Sequence, residues 1–226
     1  MEQVKQREIV LVPKEKSART NIIYLIAKRT IDIIGGLVGI ALLMPMLIVV
    51  WIARTINKEN GPIFYEQLRI GKDGKVFRFY KFRSMVVGAD DVLKKYLDEN
   101  QKEAKEYEKY KKMKNDPRIT KTGKFLRKTS LDEWPQFINI LNGTMSLVGP
   151  RPYMPRERKD MGEYYEYIIQ AKPGLTGPWQ IGGRSDVSFD DRMKIDKEYA
   201  EKQDLKNDIK ILFKTVEKVF KKEGAC

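Results

Sequence analysis

Two adjacent carboxylates, Asp132 and Glu133, stand in the segment KFLRKTSLDEWPQFINILNGTMSLVGPRP. Cations surround them in sequence: Arg127 before, Arg151 after, and Lys81 and Arg83 in the earlier motif KFRSM. Guanidinium groups grip phosphate oxygens in a bidentate way. Carboxylates, a magnesium ion and several Arg or Lys groups make a phosphoryl-transfer site. A carboxylate can also attack phosphorus itself and form an acyl phosphate. Helix capping is the competing explanation, because Ser130 and Glu133 fit a capping box and acidic residues favour a first helical turn. Pro135 fits a helix only if that helix starts near Asp132. Each cation, taken alone, is better explained as a surface charge, since the chain has many.

A second constellation lies in KPGLTGPWQIGGR, residues 172–184. Its backbone N–H groups, the Trp179 ring and the Arg184 cation suit a nucleotide. The bland alternative is a structural turn.

Composition narrows the chemistry. The 226 residues contain no histidine, and the one cysteine is Cys226. A Ser-His-Asp triad, a Cys-His nucleophile and a His/Cys zinc site are therefore excluded. Without a disulfide framework, the soluble part belongs in a reducing compartment. A catalytic metal needs hard oxygen ligands, which favours Mg2+, with Mn2+ as the alternative. The net charge of +13 directs the chain toward anions: nucleic acid, anionic lipid or phosphorylated small molecules.

The positioning elements follow from pattern. Residues 1–18 read as a polar tail, without the pattern of a secretory signal. Ile33 to Ala53 carries no charge and exceeds the ~18 residues that mark a membrane candidate. Pro45 lies near its middle and disfavours a straight helix. Lys28 and Arg29 flank one end, Arg54 and Lys58 the other, and cationic flanks favour the cytoplasmic side. A helix-break-helix over 19–58 that dips into one leaflet and returns fits both facts; a kinked spanning helix is the alternative. Residues 59–226 form the catalytic domain. Within it, Gly61 to Met85 reads as a β-hairpin turning at Asp73-Gly74. Asp90 to Lys114 reads as a surface helix, Glu163 to Ile169 as helical, and 172–184 as a loop. In 205–222, Leu205, Ile209, Leu212, Val216 and Val219 form an apolar stripe beside a row of lysines, a helix suited to an anionic membrane surface or to packing on the domain. The expected fold class is mixed α/β and mostly helical: a re-entrant membrane helix-break-helix, plus a small cytoplasmic domain with a short β-hairpin and amphipathic surface helices.

The ordered series KRTIDIIGG, Pro45, GPIFYEQLRIGKDGKVFRFYKFRSM, SLDEWPQFINIL, MSLVGPRP, KPGLTGPWQIGGR and DIKIL, from about Lys28 to Phe220, closely resembles the bacterial sugar transferase family of monotopic polyprenyl-phosphate sugar-1-phosphate transferases. The resemblance implies that Asp132 attacks the β-phosphate of a UDP-sugar and expels UMP. Undecaprenyl phosphate then takes the phosphosugar from the aspartate. Glu133 would assist by placing Mg2+ or accepting a proton, so both carboxylates are candidate metal ligands. Lys81, Arg127 and Arg151 match phosphate-site positions of the family, and Asp208 in DIKIL matches a position near that site. Gln180 and Asp196 are weaker matches. Where the family breaks its membrane helix at Ser-Pro, this chain has Met44-Pro45.

Further expectations come with the family. The chain reads as the short catalytic form, without the multi-span region of longer members. It would sit on the cytoplasmic face of the bacterial cell membrane and start a capsule, exopolysaccharide, O-antigen or glycoprotein glycan. Its partners would be the UDP-sugar, undecaprenyl phosphate and inner-membrane lipids, with a homodimer compatible and no nucleic acid. A lipid glycosyltransferase releasing UDP and a non-enzymatic anion binder are the competing readings.

Overall fold

The computed structural model describes residues 22–110, 113, 116–182 and 188–221. The polar tail and Arg184 lie outside the described residues.

The apolar run becomes α1, Ile22–Ile56, and Pro45 lies inside this one element. At ~1.5 Å per residue the helix is about 52 Å long, longer than the ~30 Å of a bilayer core. By length and composition α1 can cross or anchor in a membrane. Its buried positions are Tyr24, Asp32, Gly36, Gly39, Leu43, Val50 and Arg54, spaced at three, four or their sums. That row is one helix face, laid on the rest of the protein along nearly the whole element. The other faces expose Ile26, Ile34, Leu37, Val38, Ile48 and Trp51.

The predicted hairpin forms as β1, Phe64–Ile70, and β2, Val76–Phe82, antiparallel with Phe64 opposite Phe82 and Ile70 opposite Val76. Asp73 at φ 56° and Gly74 at φ 73° supply the left-handed residues of the turn. Alternation puts Phe77, Phe79 and Lys81 on one face, where the two rings pack with Ile140 and Met145.

The expected surface helix is two pieces among the described residues, α2 (Ala89–Glu99) and α3 (Gln101–Tyr110), divided where Asn100 leaves the helical region; Lys114 lies outside the described residues. Then follow α4, Lys121–Lys128, and α5, Gln136–Leu141. Helix α5 lies against α1 where glycine leaves room. A Cβ on Gly39 would come within 2.2 Å of the Phe137 ring, and one on Gly36 within 2.6 Å of Leu141.

The remaining elements are β3 (Ser146–Val148), α6 (Tyr164–Ile168), β4 (Gly174–Thr176), α7 (Pro178–Gly182), α8 (Phe189–Glu201) and α9 (Leu205–Lys221). Strands β3 and β4 pair in parallel, Ser146 with Gly174 and Val148 with Thr176. This corrects the loop reading of 172–184. A three-residue strand has no readable period, and it forms because glycine lets the backbones meet: a Cβ on Gly174 would lie 2.1 Å from Gly149 N.

Helix α9 also departs from its predicted stripe. Asp208 and Ile211 face inward, while Ile209, Phe213 and Val216 are exposed, Phe213 at 73%. The helix is rotated because Asp208 is drawn inward by bonds from Lys28, Tyr24 and Tyr199.

Candidate active site

Asp132 and Glu133 sit in a single 3-10 turn, Leu131–Glu133, ahead of α5. Ser130 adopts φ 56° and its side chain caps nothing. Pro135 is the cap residue of α5, again with no side-chain cap bond. The capping box therefore does not form, and the acids are free of that duty. On either side of them, Leu131 and Trp134 pack against Leu43, Val50, Phe82 and Leu126. These apolar anchors fix the turn, and α1 supplies half of them.

Lys81, at the end of β2, bridges the pair: its Nζ lies 2.8 Å from Glu133 Oε1 and 3.7 Å from Asp132 Oδ2. The Asp132 side chain is only 13% exposed. Burial raises its pKa above the ordinary carboxylate value; Lys81 opposes that, Glu133 adds to it and Arg127 opposes it. A partly dehydrated carboxylate next to two cations is a competent nucleophile toward a phosphate that those cations hold.

Arg127 reaches the site from the last turn of α4. Its Nε donates to the buried Ser84 Oγ at 2.9 Å. Helix α4 sits this close because Gly123 has no side chain; a Cβ there would lie 2.0 Å from Ser84 O.

Arg151 is held through its backbone. Its N–H donates to Asp196 Oδ2 at 3.0 Å, and the Tyr153 hydroxyl donates to the same oxygen at 2.9 Å. Asp196 is fully buried and desolvation pushes its carboxyl up to about 7. Arg69 Nη1 donates to Pro152 O at 3.0 Å, securing the next residue. The Arg151 guanidinium lies 5.4 Å from the Trp179 ring, and Arg192 lies 4.7 Å from the same ring. Arg69 and Lys81 both lie against Phe79, at 5.2 and 5.5 Å. Lys81 and Arg69 thus flank Phe79, and Arg151 and Arg192 flank Trp179, with Arg69 near enough to Arg151 to repel it, a cationic track suited to a multiply charged phosphate ligand.

The tertiary structure brings Asp132, Glu133, Lys81 and Arg127 together and joins Arg151 to them through this track. Arg83 is not brought in: its Nε donates to Pro62 O and its guanidinium lies over Tyr65. Gln180 donates to Leu175 O and ties α7 to β4. Asp196 serves Arg151 from behind. Asp208 belongs to the Lys28–Tyr24–Tyr199 cluster, whereas the cation that bridges the dyad is Lys81. Sequence reasoning missed Ser84, Arg69 and Arg192. Ser84 had a signal, as the one hydroxyl between Arg83 and Met85 in KFRSM. Arg69 and Arg192 had none among so many cations.

Among the described residues no three His, Cys, Asp or Glu side chains gather to hold a metal. Two carboxylates remain, Asp132 and Glu133. That donor set fits Mg2+, which keeps several waters and is bound by one or two carboxylates plus substrate phosphate oxygens.

A model of the family described as bacterial sugar transferase matches residues 23–222. Among curated proteins, the undecaprenyl-phosphate galactose phosphotransferase of Salmonella typhimurium is 46% identical over 198 residues, covering 88% of this chain and 41% of that protein. The UDP-glucose:undecaprenyl-phosphate glucose-1-phosphate transferase of Escherichia coli is 38% identical over 206 residues, covering 88% and 41%. The exopolysaccharide production protein ExoY of Rhizobium meliloti is 38% identical over 199 residues, covering 88% of each. The chain spans about two fifths of the length of the first two relatives.

Proposed function

We propose that this chain, which belongs to the bacterial sugar transferase family, transfers a sugar-1-phosphate from a UDP-sugar to undecaprenyl phosphate and releases UMP. The observation that carries the reading is the dehydrated Asp132 carboxylate set between Glu133, Lys81 and Arg127. An Asp132 oxygen attacks the β-phosphorus of the donor. The bond from that phosphorus to the bridging oxygen breaks, and the electron pair leaves with UMP. An oxygen of the lipid phosphate then attacks the same phosphorus and expels Asp132, giving a lipid diphosphate sugar. Lys81 and Arg127 hold the charge that builds on the non-bridging oxygens. Arg151, anchored by Asp196 and Arg69, grips the donor's diphosphate. Glu133 holds the Lys81 ammonium beside Asp132. Mg2+ on Asp132 and Glu133 would neutralise the donor diphosphate, and Mn2+ would do the same.

The reaction would open a polysaccharide or glycoprotein glycan pathway at the cytoplasmic face of the cell membrane. We infer that α1 enters and leaves one leaflet, bending at Pro45. In support, both of its ends bond to the same domain: Lys28 to Asp208 at 2.6 Å, and Arg54 to Asn60 O and Gly61 O at 2.8 and 3.0 Å. Cysteines placed on both flanks should react with a membrane-impermeant thiol reagent from the cytoplasmic side. Reaction of one flank from the opposite side refutes the hairpin.

The chemistry is tested by incubating the full chain with UDP-sugars and undecaprenyl phosphate while scoring nucleotide and lipid products. Release of UMP, with a phosphosugar mass on Asp132 when the lipid is withheld, is the expected result. Release of UDP indicates a direct glycosyl transfer, and normal turnover by Asp132→Ala removes the nucleophile assignment.

A further inference from the structure

A second cationic site lies at the other end of α1. Arg29 donates through Nη1 to Ile140 O and through Nη2 to Leu141 O, both at 2.7 Å, so it closes the C-terminal end of α5. The turn that follows passes through Gly143 at φ 82°. A Cβ built on Gly143 would lie 3.7 Å from Arg29 Nη2 and 3.7 Å from Lys172 Nζ. The two cationic nitrogens therefore face each other across a bare glycine, no further apart than twice that distance. Two charge-assisted bonds of ~2.8 Å to neighbouring oxygens of one phosphate bridge such a gap.

Lys172 has no bonded counter-charge among the described residues. Among the described residues it makes no hydrogen bond or ion pair. Burial lowers its ammonium's affinity for the proton, and Arg29 lowers it further; Asp32 opposes this, while Lys72 and Lys28 add to it. The nearby Asp32 carboxylate is held through Oδ1, which accepts from Ser146 Oγ at 2.9 Å and from Leu147 N at 2.8 Å. Lys28 is committed to Asp208. Two like charges this close, one of them with no acceptor, are unfavourable until an anion joins them.

The surroundings identify the anion's carrier. Ile26 and Ile33 lie on the Arg29 side of α1, one turn either way, and are 63% and 39% exposed. Exposed apolar side chains beside half-buried cations match the boundary between lipid tails and headgroups. The site is also remote from the dyad. Leu43, which packs in the cluster around Leu131 and Trp134, is about 21 Å further along α1 at ~1.5 Å per residue.

We propose that Arg29 and Lys172, facing across Gly143 with Lys72 nearby, bind the phosphate of an anionic membrane lipid at a site separate from the Asp132 centre. The site holds the entry end of α1 at headgroup depth and leaves the dyad free for the reacting lipid phosphate.

The test uses the full chain in neutral detergent micelles, with fluorescent phosphatidylglycerol and phosphatidylcholine analogues as probes. No turnover is measured, so the outcome is independent of the proposed reaction. Phosphatidylglycerol should bind about tenfold more tightly than phosphatidylcholine. Lys172→Gln should remove about tenfold of that affinity, and Lys172→Arg should retain it. Arg29 is left intact because it caps α5. Lys72→Gln, on the exposed hairpin tip, should lose a smaller part. Inorganic phosphate, lacking the apolar anchor, should displace the lipid only at far higher concentration. Equal binding by the wild-type chain and Lys172→Gln overturns the proposal. So does displacement by inorganic phosphate at concentrations equal to the lipid's.

Discussion

Replacing Ser84 by alanine deletes one oxygen and leaves the rest of the proposed site in place. That oxygen accepts the Nε–H of Arg127 at 2.9 Å and is buried beneath α4. A hydrogen bond from a charged donor in such a setting contributes about 1.5–3 kcal/mol. Arg127 stands at the rim of the site and can swing into water, which recovers part of this, so the lower figure applies. At ~1.4 kcal/mol per factor of ten, kcat/KM for the nucleotide-sugar should fall about tenfold. The Ser84 backbone carbonyl still accepts from Thr120 N, so the fold should be little affected. The assay is UMP release at subsaturating donor, run on wild type, Ser84→Ala, Arg127→Gln and the double variant. If Ser84 acts by aiming Arg127, its removal should cost less than about twofold once Arg127 is gone. The same tenfold loss in both backgrounds refutes the reasoning.

Lys81→Met removes the largest influence holding down the Asp132 pKa, so the acid limb of the kcat/KM profile should move to higher pH; an unmoved limb contradicts the assignment. Asp196 has its carboxyl raised to about 7, against about 3.9 when unfolded. Between those values the unfolded chain binds fewer protons than the native one, so this group makes stability fall as pH rises through the window, with no further change above it. Asp196→Asn cannot ionise and should flatten the wild-type decline in melting temperature between about pH 4 and 7. Gly39→Ala drives a methyl into the Phe137 ring and should cost about 1–3 kcal/mol in chemical denaturation, with loss of activity because α5 carries the dyad turn.

The local elements were legible because their signals are local. Alternating aromatics around Asp73-Gly74 specify the hairpin. An uncharged run flanked by basic residues specifies a membrane-seeking helix. The absence of histidine left carboxylates, Lys, Tyr and Ser as the catalytic candidates, and the ordered family motifs singled out Asp132 and Glu133. What pattern could not supply is which cations converge on them. Lys81 and Arg83 are two residues apart in the same motif, yet Lys81 bridges the dyad and Arg83 turns to Pro62 O. Strand β2 ends at Phe82, and with it the alternation that would have kept both on one face. Asp208 and Asp196 read as members of one site and sit in two different clusters, since Asp196 is fixed by Arg151 and Tyr153 and Asp208 by Lys28 and Tyr24, all more than forty residues away. The sequence by itself determined which carboxylates are the candidates for phosphoryl chemistry and that one helix is apolar enough to seek a membrane, because residue type and short spacing carry that information. Only the tertiary structure decided how the charges are shared out. That allocation depends on contacts between α1, β2, α4 and α8, where a bare glycine or one buried hydroxyl sets which guanidinium points where.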